Sequence, residues 1–354
     1  MPDSESFIVE TAARIFADLA EPQAIIHSRS DAWKGALWGA LDEVGLALSW
    51  VPETQGGAGV ALDEGFGVLR AAGRAALAMP LAETMLAGWL LAQAGIASPS
   101  GAMSVAPALP NNRLTLDGSG RLAGMARKVP FGREVDHLAV LAMASEGLSI
   151  ALVRTADCRT TAGRNLAGEA SDVIDFSGVA PLRSASVPSG FDRDTLLLMG
   201  AAVRAQQIAG ALEAVLDLSV RYATERVAFE KPISKFQAVQ HNLARLGGEV
   251  AAAVAAAVSA ADTVSECGPG GDAAMLEISA AKIRAGEAAE AGTGIAHQVH
   301  GAIGFTDEHV LHRFTLRALA WRDDFGDEAF WSARLGQFVA RIGADDLWPL
   351  LTSR

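Results

Sequence analysis

The fold of this chain is decided by the stretch RYATERVAF at residues 221–229. Two shorter motifs follow it: ISKFQ at residues 233–237 and QVHGAIGFT at residues 298–306. The first motif sets a guanidinium and an aromatic ring about one helical turn apart, and the last sets an amide before two glycines. A ligand with phosphate groups and a flat ring calls for such residues, because arginine and free backbone amides hold phosphate while aromatic surface holds a ring.

Each of these residues has a simpler interpretation when it is taken alone: Phe229 as a core residue, Arg226 as a surface charge and Gly301 as a helix C-cap. Their joint order resembles the C-terminal helical domain of the acyl-CoA dehydrogenases. In that family the motifs R-x-x-F-G, F-Q and Q-x-x-G-G-x-G hold FAD at a subunit interface. The resemblance implies FAD as the cofactor and assigns its binding to Arg226, Phe229, Phe236, Gln237, Gln298, Val299, His300, Gly301 and Ala302.

The periodicity divides the chain into three parts, and the family resemblance extends over all of them. Residues 1–97 show the helical period, residues 98–193 show short apolar runs broken by turns such as Asp117-Gly118, and residues 194–354 return to long Ala-rich helices. In the first part, VPETQGGAG at 51–59 and PLAET at 80–84 resemble further family segments. We therefore expect a mainly α fold with a small β-domain, in which an N-terminal helical domain, a shortened middle β-domain and a C-terminal antiparallel helical bundle follow one another.

Composition limits the partners. The 354 residues carry a formal net charge of -12, which repels nucleic acid. No purely apolar stretch reaches the roughly 20 residues that span a bilayer, and the acidic start MPDSES lacks the features of a secretory signal. Two cysteines, far apart in the sequence, suit a reducing compartment. We therefore expect a cytoplasmic protein with no nucleic-acid partner and no membrane partner.

A basic patch is the local exception to the acidic charge, and it consists of Arg221, Arg226, Lys231, Lys235 and Arg245. The patch has two interpretations. It is an anion-binding surface, or it is a solvated helix face whose cations form ordinary ion pairs with Glu213 and Glu225. The residues alone favour the second interpretation.

Four histidines close together raise the question of a metal site: His297, His300, His309 and His312. They form two i,i+3 pairs, and this helical spacing places two imidazoles on one face. Gly301 and Gly304 interrupt the helix between the pairs, and the family resemblance already accounts for His300. We therefore expect no metal. The glycine-rich phosphate loops of NAD- and ATP-binding proteins and the nucleophile elbow are also absent from the sequence.

The activity that the resemblance implies is the two-electron oxidation of an acyl-CoA thioester, in which a carboxylate removes the α-proton while the β-hydrogen leaves as hydride to the flavin. The family places its catalytic Glu before a Gly-Thr pair. Here Phe325 precedes Gly326-Asp327, and the family's alternative Glu position aligns with Gly200. Asp324 is then the candidate catalytic residue, as a displaced base. The competing interpretation is a solvated acidic loop with an N-cap for a helix that begins near Glu328.

Departures from the family are unevenly distributed. In family tetramers one subunit holds the flavin ring with its middle domain and its catalytic Glu, and a neighbour contributes the Arg, Phe and Gln of the C-terminal motifs. This chain keeps the contributed half, but its middle domain lacks the TEPgaGSD segment and Asp327 replaces the Thr. Two functions stay open: an active FAD-dependent acyl-CoA dehydrogenase that uses Asp324, or an inactive subunit that completes the FAD site of a sibling in a mixed tetramer.

Partners follow from the same resemblance. The segment GAIGFTDEH at 301–309 resembles subunits of the mixed acyl-CoA dehydrogenases of bacterial steroid degradation, which favours the inactive subunit and implies lipid or steroid catabolism. The implied partners are an acyl-CoA substrate, electron-transfer flavoprotein as the acceptor, and further subunits in a homo-oligomer or in a heterotetramer with a sibling. The Ala-rich C-terminal helices offer flat faces for such an oligomer.

Overall fold

The structure is a computed structural model that describes residues 6–28 and 30–352. Helices dominate it, and a region of short strands lies between two helical regions. The prediction of a mainly α fold with a small β-domain is confirmed. The domain ranges 1–97, 98–193 and 194–354 stay predictions, although the type of element changes between Gln93 and Met103 and again between Ser186 and Arg193.

The N-terminal region contains α1 (Phe7–Leu19), α2 (Pro22–Ser28), α3 (Ala32–Glu43), α4 (Leu62–Arg74) and α5 (Leu81–Gln93). Short 3-10 turns at Leu46–Leu48 and Glu53–Gln55 connect α3 to α4. Apolar side chains of α1, α3 and α4, such as Phe16, Leu41 and Phe66, are buried in a common core. Helix α5 is buried from Leu81 to Leu91, so the charged side chain of Glu83 in its first turn lies inside the protein.

The middle region is built from nine strands: β1 (Met103–Val105), β2 (Thr115–Leu116), β3 (Leu122–Ala123), β4 (Met125–Pro130), β5 (His137–Ala144), β6 (Gly147–Arg154), β7 (Arg159–Thr161), β8 (Ser171–Asp175) and β9 (Arg183–Ser186). One sheet has the order β3-β2-β5-β6-β9, with β1 parallel to β5, and a second sheet has the order β4-β8-β7. The predicted hairpin at Asp117-Gly118 is present, since β2 and β3 pair antiparallel with Thr115 opposite Ala123.

The C-terminal region contains α6 (Arg193–Glu225), β10 (Val227–Ala228), β11 (Lys231–Pro232), α7 (Gln237–Cys267), α8 (Gly271–His300), α9 (Leu311–Arg322), α10 (Glu328–Ile342) and α11 (Ala344–Thr352). A capping box starts α6, in which Asp192 accepts a hydrogen bond from the backbone N–H of Thr195 at 2.8 Å. Helix α6 packs against α4, α7, α8 and α9 and is the central element of the fold. It approaches α4 so closely that a Cβ on Gly210 would lie 1.9 Å from the carbonyl oxygen of Arg70.

Two helices of the described chain, α6 and α7, are long and apolar enough to cross a membrane by length and composition alone. The apolar part of α6 is buried completely, as in the core helix of a globular protein. Only 28% of the corresponding part of α7 is buried, and Ala251, Ala252 and Ala255 are exposed on it. Helix α7 therefore presents a face of small apolar side chains outside the fold.

Candidate functional site

The first motif lies at the end of α6, on a small hairpin at the surface. Arg226 follows the last turn of α6, and β10 and β11 pair so that Phe229 and Glu230 form the tip. Both tip residues have left-handed backbone conformations, with φ of 51° and 65°, which are unfavourable for side chains other than glycine or asparagine. The side chain of Phe229 is 90% exposed. The interpretation of Phe229 as a core residue is therefore wrong, because the hairpin holds the ring in solvent.

The second motif packs beside the first. The rings of Phe229 and Phe236 meet edge to face with centroids 6.2 Å apart, and Nζ of Lys231 lies 4.5 Å from the centroid of Phe236. Gln237 begins α7 and is exposed. Arg226 accepts a hydrogen bond on its carbonyl oxygen from the N–H of Ile233 at 2.8 Å, which ties the two motifs together.

The third motif ends α8, and its residues divide between surface and interior. Gln298, Gly301 and Ala302 are exposed, whereas the side chains of Val299 and His300 are buried. Gly301 takes a left-handed conformation, with φ of 64°, and ends the helix as expected of a C-cap. Of the nine predicted FAD-binding residues, Val299 and His300 can therefore offer a surface ligand only their backbone groups. Phe305, which the prediction did not include, is 72% exposed on the same segment.

The cations of the basic patch are all exposed and lie around these motifs. Within residues 6–28 and 30–352, no carboxylate lies within ion-pairing distance of any of the five. The predicted ion pairs with Glu213 and Glu225 are wrong: Glu213 faces Arg74 of α4 instead, at 3.8 Å. The patch thus keeps its positive charge uncompensated in a chain of net charge -12, as an anion-binding surface requires.

A second cluster of charged residues lies deep inside the protein, where α5, α6 and the end of α9 meet. Arg204 of α6 is 2% exposed, and its Nη2 lies 2.6 Å from Oε1 of Glu83 and 2.9 Å from Oδ2 of Asp324. Its Nε donates a further hydrogen bond of 3.0 Å to Asp324, and Nη1 donates to Gln207 at 2.5 Å. One guanidinium therefore serves two buried carboxylates, and we call these four residues the Arg204 network.

Burial and charge act against each other in the Arg204 network. Burial raises the pKa of Asp324 and of Glu83 above their ordinary values, and Arg204 offsets part of each rise. Burial alone would lower the pKa of Arg204, but the two carboxylates raise it. The guanidinium is therefore charged and stabilises both partners as anions, and nearby Lys282 adds to this effect at Asp324. The interpretation of Asp324 as part of a solvated loop is wrong, since its side chain is buried against Arg204.

Lys282 of α8 fixes the turn that follows α9. Its Nζ donates to the carbonyl oxygens of Arg322 at 2.5 Å and Gly326 at 2.7 Å, and burial lowers the pKa of the lysine to about 8. Within this turn Phe325 has a left-handed conformation, with φ of 54°. Asp327 accepts a hydrogen bond from the N–H of Phe330 at 2.8 Å, so the predicted N-cap of the helix that begins at Glu328 is present.

The turn places Phe325 opposite Gly200, and these are the two positions that align with the catalytic Glu of the family. Phe325 is buried against α6, where a Cβ on Gly200 would lie 2.2 Å from Cδ1 of the phenylalanine ring. The remaining space is bordered by Phe325, Arg204, Glu83, Val105 and Pro130, and it is too small to hold a water molecule. Asp324 stays a predicted base, but in this packing no substrate can reach it.

Sequence reasoning did not find Arg204, Glu83 or Lys282. A signal exists for Arg204, which is a single charge within the otherwise uncharged stretch LLLMGAAVRAQQIAGAL at 196–212. A cation inside such a stretch calls for a buried partner, because an unpaired buried charge is very costly.

The four histidines do not form a metal site: among the described residues no three metal-ligating side chains converge.

Comparisons with known proteins give a consistent result. Residues 192–327 match the family described as acyl-CoA dehydrogenase, C-terminal domain. The acyl-CoA dehydrogenase IpdE2 of Mycobacterium tuberculosis is 29% identical over 325 residues, covering 90% of this chain and 91% of that protein. Among solved structures, the ChsE4–ChsE5 complex from Mycobacterium tuberculosis superposes with a TM-score of 0.86 at 24% identity, over 97% of this chain and 99% of that one. A variant of the steroid acyl-CoA dehydrogenase Tcur3481–Tcur3483 superposes with a TM-score of 0.82 at 25% identity, over 94% and 97%.

Proposed function

Because this chain belongs to the acyl-CoA dehydrogenase family, we propose that it is the supporting subunit of a mixed acyl-CoA dehydrogenase oligomer. In this proposal the exposed motifs around Arg226 and Gln298 complete the FAD site of a sibling subunit, and the sibling supplies the catalytic base. The chain by itself does not oxidise acyl-CoA.

The observation that carries the proposal is the contrast between the two half-sites of this chain. The region where the family holds its own base is filled by Phe325 and the Arg204 network. Opening it would separate a buried ion pair, which costs about 3–5 kcal/mol, and would expose the phenylalanine, which costs about 1.5–3 kcal/mol more. The contributed half-site needs no such rearrangement, because Phe229, Arg226 and Gln298 already lie at the surface.

The contributed half-site fits FAD by its chemistry. Arg226 and Lys231 are free of carboxylate partners among the described residues and can hold a pyrophosphate, which prefers charge-assisted hydrogen bonds. Phe229 and Phe305 offer exposed aromatic surface to a flat ring, and Gln298 offers an amide. When bound, FAD would accept the β-hydrogen as a hydride, which carries both electrons of the oxidation. This chain contributes binding and orientation, and no proton transfer is assigned to it.

The identity of the substrate and of the partner is a further part of the proposal. Similarity to the Tcur3481–Tcur3483 steroid acyl-CoA dehydrogenase supports a steroid-derived acyl-CoA as the substrate of the assembly and a sibling chain as the partner. Electron-transfer flavoprotein as the acceptor and a cytoplasmic location stay predictions, because the described contacts bear on neither.

The test is to purify the chain alone and together with a sibling that has an intact Glu-Gly-Thr segment. We expect the absorbance spectrum of the isolated chain to show little flavin and its acyl-CoA oxidation to be negligible. The co-purified complex should carry FAD and turn over. Acyl-CoA oxidation by the isolated chain, at a rate comparable to that of the complex, would contradict the proposal.

A further inference from the structure

The two main motifs of the contributed half-site are joined beneath the surface by three aromatic side chains, Tyr222, His300 and His309, which we call the histidine lock. Tyr222 lies one turn before Arg226 on α6, and His300 ends α8 just after Gln298. The rings of Tyr222 and His300 stack with centroids 4.5 Å apart. His309, on the segment between α8 and α9, meets His300 edge on at 4.9 Å and Tyr222 at 6.3 Å.

The hydrogen-bond geometry of the histidine lock suits neutral imidazoles. His309 accepts the N–H of Leu311 on its Nδ1 at 3.2 Å, at the first turn of α9, so this nitrogen carries no proton. His300 uses its Nδ1 to donate to the carbonyl oxygen of Ala296 at 2.8 Å, because a carbonyl can only accept. Its Nε2 is buried without a partner among the described residues, so a second proton on this nitrogen would find no acceptor there.

The charges around the histidine lock also oppose protonation. Arg221 of α6, His297 of α8 and His312 of α9 are the neighbouring groups that act on these rings, and all three are cationic when charged. The carboxylates of Asp307 and Glu308 lie on the same segment as His309, but both are exposed. Burial lowers the pKa of His300, and the hydrogen bond to Ala296 offsets only part of this effect. Burial also lowers the pKa of His309, and the neighbouring His300, His312 and Arg221 lower it further.

We propose that the histidine lock positions the Arg226 and Gln298 motifs against each other, and that protonation of His300 and His309 opens it and weakens the hold of this subunit on FAD. The inference rests on the proposed function, because it concerns the same half-site. A second proton on His300 would have no acceptor, and a proton on Nδ1 of His309 would remove the hydrogen bond to Leu311. Both changes act on residues 297–311, which carry Gln298 and Phe305.

The pH window follows from the direction of the pKa values. The unfolded or opened segment binds protons near the ordinary histidine value of about 6.5, and the closed lock binds them only at lower pH. The closed state is therefore fully favoured above about pH 6.5 and loses stability as the pH falls through and below that value. Acid, rather than base, opens the lock.

The first experiment measures hydrogen–deuterium exchange of residues 297–311 in the purified chain at about pH 7.5 and about pH 5.5, corrected for intrinsic exchange. We expect protection to fall by about tenfold, while the buried part of α6 stays protected. In His309→Asn the amide oxygen can still accept from Leu311 but cannot titrate, and in His300→Phe the stack on Tyr222 is kept. In the double variant, the protection of residues 297–311 should fall by less than about twofold between the two pH values. His137→Asn, in the β-domain, is the matched control and should behave as the unmodified chain.

A pH-dependent loss of the same size in the double variant would overturn the histidine lock, as would unchanged protection in the unmodified chain. If the double variant does not fold, His309→Asn alone serves as the test. On a logarithmic scale, the protection of its residues 297–311 should change with pH by about half as much as in the unmodified chain.

The second experiment measures the FAD dissociation constant of the complex with a sibling subunit over the same pH range. We expect FAD binding to weaken about tenfold in acid with the unmodified chain and to stay nearly constant with the double variant. Equal weakening in both would overturn the link between the lock and FAD. Failure of the proposed function would be visible separately, as a complex without FAD at about pH 7.5, and the exchange experiment would then still decide whether the lock opens.

Discussion

Replacing Arg204 with methionine should destabilise the protein strongly, although the residue lies outside the contributed half-site. The substitution keeps an unbranched side chain of similar length but removes a cation that contacts both Glu83 and Asp324. Removing one partner of a buried ion pair typically costs about 3–5 kcal/mol. A second argument gives a similar upper limit for the cost per carboxylate. A buried carboxylate with an ordinary pKa near 4 can become neutral by taking up a proton, which at about pH 7 costs about 4 kcal/mol.

The free energy of unfolding of Arg204→Met should change with pH in a defined direction. The folded-state pKa of Glu83 and Asp324 is already raised by burial, and loss of the guanidinium removes the largest effect that offsets this rise. The folded variant then binds more protons than the unfolded chain. Its free energy of unfolding should therefore increase as the pH falls from about 7 to about 5, by up to about 1.4 kcal/mol per pH unit and carboxylate.

The assay is urea unfolding followed by far-UV circular dichroism at several pH values. Arg245→Met, an exposed arginine of α7, is the matched control and should change the free energy of unfolding by less than about 0.5 kcal/mol. The triple variant Glu83→Gln, Arg204→Met and Asp324→Asn should recover most of the loss, because it removes both carboxylates together with the cation that contacts them. If Arg204→Met alone stays within about 1 kcal/mol of the unmodified chain and shows no pH response, the buried network is not what the geometry indicates.

Three further expectations concern the assembly. Arg226→Ala should weaken FAD binding of the complex by about 1.5–3 kcal/mol and Lys235→Ala by less than about 1 kcal/mol, measured by flavin fluorescence; equal losses would mean that the phosphate contact is misplaced. Asp324→Asn should leave the turnover of the complex with a sibling subunit unchanged, because the base belongs to the sibling; a loss of about 100-fold or more without a loss of flavin would instead identify Asp324 as the general base. Light scattering should show an oligomer, and a stable monomer of about the 36.7 kDa chain mass would speak against a contributed half-site.

Short-range features of this protein were accessible from sequence. The spacing of Arg226 and Phe229, the glycine after His300 and the hairpin at Asp117-Gly118 depend on neighbours a few residues away, and local geometry determines what such residues do. The change from helical to strand period likewise follows from which side chains recur on one face. The sequence alone therefore predicted the fold class, the hairpin at Asp117-Gly118 and the end of α8 at Gly301.

The basic patch shows where local reasoning fails. Glu213 and Glu225 lie near the cations of the patch in sequence, so ordinary ion pairs with these two carboxylates were the favoured interpretation. Glu213 instead faces Arg74 of α4, because the close approach of α4 and α6 at Gly210 brings that arginine to it. Which carboxylate neutralises which cation is a property of helix packing.

The buried network was decided by tertiary structure alone. Arg204 meets Glu83 across 121 positions of sequence and Asp324 across 120, and no local pattern records contacts of that range. From sequence, Asp324 was either a displaced base or part of a solvated loop, because an aspartate after a helix is exposed in most proteins. The fold turns it inward because α5, α6 and the turn held by Lys282 converge there, and the energy of a buried carboxylate depends on which cation lies beside it.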